Sequence, residues 1–277
     1  MLLSGVLRAL SEHPTATQVV FYAVVVGGLW IAEYRLTGQN IGRKFRHTAF
    51  NSTLMLLALP AQLGMMTLVL GAAYWCTAHK VGLLYLLPFH ESAWIRLGVM
   101  FLVMDFLDYA YHYAAHRIPW LWRLHLVHHS DREVDVSTTF REHPLETLVR
   151  TAVLCGWVVL CGASLQLLIL RQTFETIANI GQHSRLTLPE RPARWLRYLF
   201  VTPDMHHAHH HAYLPGTDCN YGDVLSLWDR LFGTQISLRP DSIQFGVDTH
   251  LDRDGDLLAL LGLKPASEVA AGRGTQV

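Results

Sequence analysis

The chain has 277 residues, of which 51% are hydrophobic and only 16% charged, and its formal net charge is zero. A soluble domain carries about 25% charged residues, so water is not expected to be the only solvent, and a neutral balance without a basic tract argues against a nucleic-acid partner. Four cysteines show no CxxC spacing and read as small core residues rather than disulfides or thiolate ligands.

The opening stretch, MLLSGVLRALSEHPTATQ, lacks a long apolar core followed by a small-residue cleavage site and does not read as a secretory signal peptide. Runs approaching the ~20 apolar residues of a membrane-spanning helix follow at Thr17–Tyr34 and Phe50–Cys76, the second with a bend expected at Pro60. A third run, Trp94–Tyr113, is apolar until Asp105 and Asp108. The fourth, Thr151–Leu170, continues as a helix-like stretch to His183, and Gly162-Ala163-Ser164 would split it into a hairpin. This pattern predicts an all-α integral membrane protein of about four to five transmembrane or hairpin helices, with a cytoplasmic helical cap carrying a histidine-rich two-metal site. Three regions are expected: transmembrane helices over 1–93, a catalytic domain over 94–240, and an extension over 241–277 whose tail from Pro265 is small, polar and unordered.

Charge gives an orientation. Arg35, Arg43, Lys44 and Arg46 fall between the first two runs, whereas Lys80 falls between the second and third. By the positive-inside rule the first loop is cytoplasmic, as is the segment containing Arg117, Arg123, Arg132 and Arg141. The polar segments after the third run are then expected on the cytoplasmic face of a membrane. Only a hairpin at 162–164 returns Asn179 and His183 to that face.

The seventeen histidines matter through their placement. His112-Tyr-Ala-Ala-His116 puts two imidazoles one helical turn apart on one face, and His125-Leu-Val-His128-His129 repeats the geometry. The run His206-His-Ala-His209-His210-His211 is degenerate: His206/His209/His210 and His207/His210/His211 both fit the spacing H-x-x-H-H. Between these clusters lies the pair Asn179 and His183. So many imidazoles can surround two metals, and imidazole alone suits zinc, copper, iron or nickel. Asp105 and Asp108 are candidates to orient the first cluster, and Asp218 and Asp229 the third. His13, His47, His79, His90 and His250 read as packed or interfacial residues.

These residues closely resemble the fatty acid hydroxylase/sterol desaturase superfamily, whose pattern is H-x3-H, H-x2-H-H, an isolated histidine, and a final H-x2-H-H. The likeness extends to Asp108-Tyr109 before the first box and Trp120-Leu-Trp122-Arg-Leu-His125 before the second. Thr139-Phe-Arg141-Glu-His143-Pro144-Leu-Glu146 is similar to a segment of many bacterial members. Asn220-Tyr-Gly222 and Trp228-Asp-Arg-Leu-Phe-Gly-Thr234 are similar to the C-terminal signature. Because the family's third box follows a proline by three residues, as His206 follows Pro203, the resemblance favours His206, His209 and His210.

The resemblance implies metal ligands His112, His116, His125, His128, His129, His183, His206, His209 and His210. Asp105, Asp108, Asn179 and Asp229 would be orienting or water-bridging residues, and His143 a structural one. It also implies two iron ions, O2 as co-substrate, electrons from a separate reductase or ferredoxin-like protein, and a membrane lipid that is hydroxylated or, on the same site, desaturated. A histidine-rich metal transporter would place its ligands at the bilayer midplane, whereas here they fall at the ends of spans. A membrane zinc hydrolase is disfavoured by the lack of HExxH or of any carboxylate inside a histidine box.

Overall fold

A computed structural model describes residues 14–87, 92–214, 216–249 and 254–264. His13, His90, His250, the residues before 14 and the tail from Pro265 lie outside the described residues. Among the described residues, ten α-helices follow in chain order: α1 Pro14–Thr37, α2 Ile41–His79, α3 Ala93–Arg117, α4 Pro119–His129, α5 Pro144–Cys161, α6 Leu165–His183, α7 Glu190–Leu196, α8 Pro203–His209, α9 Leu227–Phe232 and α10 Leu257–Leu260. Short 3-10 turns occupy Leu83–Leu86, Val136–Phe140 and Pro240–Ser242. Among the described residues, β structure is limited to the isolated bridges Phe200–Leu225 and His211–Phe245. The all-α class is as the hydropathy pattern implies.

The number of spans is not. Among the described residues, three stretches are long and apolar enough to cross a bilayer: Val19–Thr37, Ile41–Leu86 and Pro144–Cys161. The four to five transmembrane or hairpin helices expected from sequence are therefore too many. The C-terminal half of α3 carries Asp105, Asp108, His112 and His116, and α6 carries Arg171, Gln172, Glu175 and Gln182. Both are helices, but their polar groups line an interior site rather than hydrocarbon. On the three apolar stretches, Val19, Val24, Ile31, Leu56, Leu63 and Leu160 are exposed. Such an apolar exterior is consistent with a membrane protein. The α2 helix runs through Pro60 without interruption.

The chain turns where Gly162-Ala163-Ser164 suggests. Gly162 ends α5 in the left-handed region at φ 73°, and the Ser164 hydroxyl caps α6 by accepting from Leu167 N. This turn packs backbone to backbone on the one that ends α2. A Cβ on Gly82, itself at φ 115°, would lie 2.2 Å from Gly162 N. With these ends pinned together, α2 lies along α5. Val69, Ala73, Met100, Met104, Val158, Leu167 and Leu168 form an apolar core among α2, α3, α5 and α6.

At the other end the packing is ionic. Lys44 Nζ of α2 donates to Glu33 of α1 at 2.7 Å and to Asp135 at 2.8 Å, and all three are buried. Lys44 is therefore no loop charge, which leaves Arg35, Arg43 and Arg46 as the cations at that end of α1 and α2.

Gly82→Ala should lower stability by at least about 2 kcal/mol, because it adds both a clash and a strained φ. Gly64→Ala, whose Cβ would meet nothing within 4 Å, should be neutral or slightly stabilising. Thermal unfolding of the two variants in the same detergent separates these outcomes.

Candidate metal centre

Helix ends deliver the histidines. Ile118 is extended (φ −94°, ψ 117°) and is both the last cap of α3 and the first of α4, with Pro119 at the first helical position of α4. Proline suits that position because its missing N–H would be unpaired there anyway. The resulting corner, without a linker, swings His125, His128 and His129 back onto His112 and His116. His183 is the final residue of α6, and α8, opened by Pro203, supplies His206 and His209, with His210 as its cap.

The nine imidazoles form two adjoining groups. His112, His116, His125, His129 and His209 make one; His128, His183, His206 and His210 make the other. Within each group one potential ligand atom per residue lies within 4.8 Å of all the others. The groups meet where the His129 and His210 rings stack at 4.5 Å. His207 instead packs edge-on against Phe245, and His211 accepts from Gln244 N. Of the two registers open in the third box, the geometry gathers His206/His209/His210.

The ring nitrogens show whether a cation fits. In the first group the Nε2 atoms of His112, His116, His125 and His209, and both nitrogens of His129, are buried without a hydrogen-bond partner. In the second, His183 Nε2 lies 3.1 Å from His128 Nε2 and 2.9 Å from His206 Nε2, which is 3.2 Å from His210 Nε2. His128 and His183 each donate Nδ1–H to a carbonyl, that of Arg141 (3.1 Å) and that of Asn179 (2.7 Å). Their Nε2 atoms therefore carry lone pairs pointed at each other. Protonation does not relieve this. Burial first, and then neighbouring imidazoles, hold His112, His116, His128, His129, His206 and His210 well below their ordinary range. Burial takes His183 to about 4 and His209 to about 3. Converging neutral lone pairs fit metal cations, and these two clusters are capable of coordinating them.

The outer nitrogens are held by residues that sequence reasoning placed only in part. His112 Nδ1 donates to Tyr221 O (2.9 Å) and His209 Nδ1 to Cys219 O (2.6 Å). Asn220 between them sits in the left-handed region at φ 50°, which asparagine tolerates better than most residues. Its side-chain amide donates to the Met205 and Ile236 carbonyls. Asp229 accepts from Tyr221 N and Gly222 N, so it steadies the carbonyl that orients His112 rather than any ring of the third box. Asp218 pairs with His116 of the first box, at 3.3 Å, and not with the third.

Asp105 accepts from Val224 N and Trp228 Nε1 and pins the C-terminal segment to α3 without touching a histidine. Asp108 pairs with Arg171. Asn179 contributes its carbonyl to His183 and lines the cavity described below. His143 caps α5 by accepting from Leu145 N.

Two roles were missed. Glu146 accepts from His125 Nδ1 at 2.6 Å, and the Arg141 carbonyl holds His128. Their place in the Thr139–Glu146 resemblance was the only sequence signal for either. His47, read as a packing residue, lies 2.8 Å from Asp131 within the buried ionic network.

A cavity of about 230 Å³ opens beside the centre and reaches His112, His125, His128 and His206.

Residues 97–234 match the fatty acid hydroxylase family model. The chain is 30% identical over 171 residues to an ornithine lipid hydroxylase of Rhizobium tropici, covering 58% of this chain and 50% of that protein. It is 28% identical over 151 residues to an alkylglycerol monooxygenase of Caenorhabditis elegans (54% and 29%) and 32% identical over 135 residues to methylsterol monooxygenase 1 of Rattus norvegicus (47% and 44%). The chain thus spans half or less of the length of these relatives. No solved structure matches it. The matches support membership in the fatty acid hydroxylase/sterol desaturase superfamily, and no bacterial subtype within it.

Unfolded imidazoles take up protons near pH 6.5, whereas folded His183 and His209 do so only near pH 4 and 3. Acid therefore favours the unfolded chain, and stability present above pH 6.5 is lost as pH falls towards 4. Metal-free protein should show this decline in thermal unfolding from pH 7 to 4.5. An unchanged midpoint would contradict the neutral, buried centre.

Proposed function

We propose that this chain is a membrane di-iron oxygenase that hydroxylates a C–H bond of a lipid. The observation that carries the reading is the pair of adjoining groups of converging imidazoles at the mouth of a cavity. Superfamily membership and the clustered histidines support di-iron oxygenase-type activity on lipids. The relatives named above are a hydroxylase and two monooxygenases, which favours hydroxylation over desaturation.

His112, His116, His125, His129 and His209 would hold one iron and His128, His183, His206 and His210 the other, with Asn179 beside the second group as a candidate water bridge. When bound, the irons supply the activation of O2 and the removal of hydrogen from carbon. One oxygen atom enters the C–H bond and the other leaves as water, with two electrons and two protons consumed. A separate electron-donor protein is part of this reading.

The protein's own contribution is placement. Carbonyls of Tyr221, Cys219, Arg141 and Asn179, with Glu146 and Asp218, fix which nitrogen of six of the nine rings would face the metals. Burial of the rings keeps bulk water from the oxidising centre. A bacterial inner membrane, with the metal end in the cytoplasm, agrees with Arg35, Arg43 and Arg46 lying at the metal end of α1 and α2. Arg43 pairs there with Glu133, close in sequence to His128 and His129.

Protein purified anaerobically should contain about two irons per chain, and a strain lacking the gene should lose a lipid species carrying one more oxygen atom. Complementation with His128→Ala should restore the membrane-inserted chain but not that lipid. Stoichiometric zinc with hydrolytic activity, or an active His128→Ala variant, would overturn the proposal.

A further inference from the structure

The α5 wall of the cavity beside the metal centre is polarised along its length. On α5 its lining runs from Glu146 through Arg150 and Thr151 to Val153, Leu154 and Trp157. At 1.5 Å per residue, Glu146 and Trp157 stand about 16 Å apart along the helix. Glu146 contacts His125, so the charged end of the cavity abuts the metal centre. The apolar end is completed by Met66 of α2, and both ends lie along the candidate span Pro144–Cys161. At about 230 Å³ the cavity is smaller than the ~300–1,000 Å³ pockets that enclose whole ligands. It can receive one end of an amphiphile, with the rest left outside.

The cavity is short of cations. Asp108, Glu142, Glu146, Glu175 and Asp223 line the cavity against Arg141, Arg150 and Arg171. The Arg141 guanidinium is occupied by Asn51, Ser130 and the Val127 carbonyl. Arg150 pairs with Glu142 at 3.0 Å, and Arg171 with Asp108 at 2.5 Å and Glu175 at 2.9 Å. Glu146 is 4% exposed and its Oε2 has no hydrogen-bond partner. Asp223 makes no ion pair among the described residues. Burial, together with Glu175, Asp108 and Asp105, pushes its carboxyl well above the ordinary range. Balancing the charge of bound metals would account for carboxylates on the ligands, as with Glu146 on His125 and Asp218 on His116. Asp223, Glu175 and Asp108 touch no histidine, so that role leaves them unexplained.

We propose that the substrate is an amphiphile bearing an ammonium or guanidinium group, which binds among Glu146, Glu175 and Asp223 while its chain runs along α5 past Trp157. Oxidation then falls on a carbon of the head region, because the charged end of the cavity is the metal end. The oxidation step rests on the oxygenase reading, whereas cation binding does not.

The test is equilibrium binding to the full chain in phosphatidylcholine nanodiscs at pH 7, stripped of metal and loaded, with dodecylamine, dodecanol and dodecanoate as probes. Dodecylamine should bind at least roughly tenfold more tightly than dodecanol, a difference of about 1.4 kcal/mol. The Asp223→Asn/Glu175→Gln double variant should lose that preference while binding dodecanol unchanged. Equal binding of amine and alcohol by the wild-type chain, or a preference for dodecanoate, overturns the inference without recourse to any variant. Amine selectivity in a chain that oxidises no lipid would sink the oxygenase reading alone. Oxidation of a neutral lipid without amine selectivity would sink only this one.

Discussion

A neutral imidazole has one N–H and one lone pair, and the architecture of this protein follows from satisfying both. Six of the nine clustered rings have a protein acceptor on the outer nitrogen: His112, His116, His125, His128, His183 and His209. Each acceptor turns the other nitrogen inward. A buried, unpaired ring nitrogen costs free energy, and here many converge. The bare arrangement is therefore strained electrostatically, and a metal cation would relieve that strain. Features that look unrelated share this cause. Asn220 adopts a left-handed backbone so that the carbonyls on either side of it can reach His209 and His112. Glu146 is buried in the first turn of α5 because His125 needs an anion behind it.

The same constraint ties the N-terminal helices to the centre, although they lie outside the region matched by the family model. Glu33 on α1 accepts from Lys44, from Val136 N and from Arg185 N, two residues beyond His183. Asn51 on α2 accepts from Arg141, whose carbonyl holds His128. The second histidine group is thus fixed by side chains that rise from two candidate membrane spans. Removing one partner from a buried ionic cluster leaves the other charge stranded, at a cost of roughly 3–5 kcal/mol. The first two helices position the second histidine group as well as carrying apolar stretches consistent with a membrane protein.

The placement of polar groups also explains why hydropathy misjudged the number of spans. The α3 and α6 helices are long, but each gives a face to Asp108, Arg171, Glu175 or a histidine, all on the site side of the bundle. Two helices that read as spans, or as halves of a hairpin, serve as walls of the cavity.

The sequence by itself determined which imidazoles share a helix face. Histidines three and four residues apart share a helix face whatever surrounds them, so the boxes at 112–116 and 125–129 and the turn at 162–164 could be read directly. It also determined the all-α class, since apolar runs of that length have few alternatives. Only the tertiary structure decided which carboxylate serves which ring. Asp218 and Asp229 are close in sequence to the third box yet serve the first, and Glu146 reaches His125 from a separate helix. It likewise decided between the two registers at 206–211, where local spacing is degenerate and only the direction in which α8 faces the other boxes distinguishes them. Hydrogen bonds between distant segments depend on how helices cross. That crossing is set by packing such as Gly82 on Gly162, which no local pattern records.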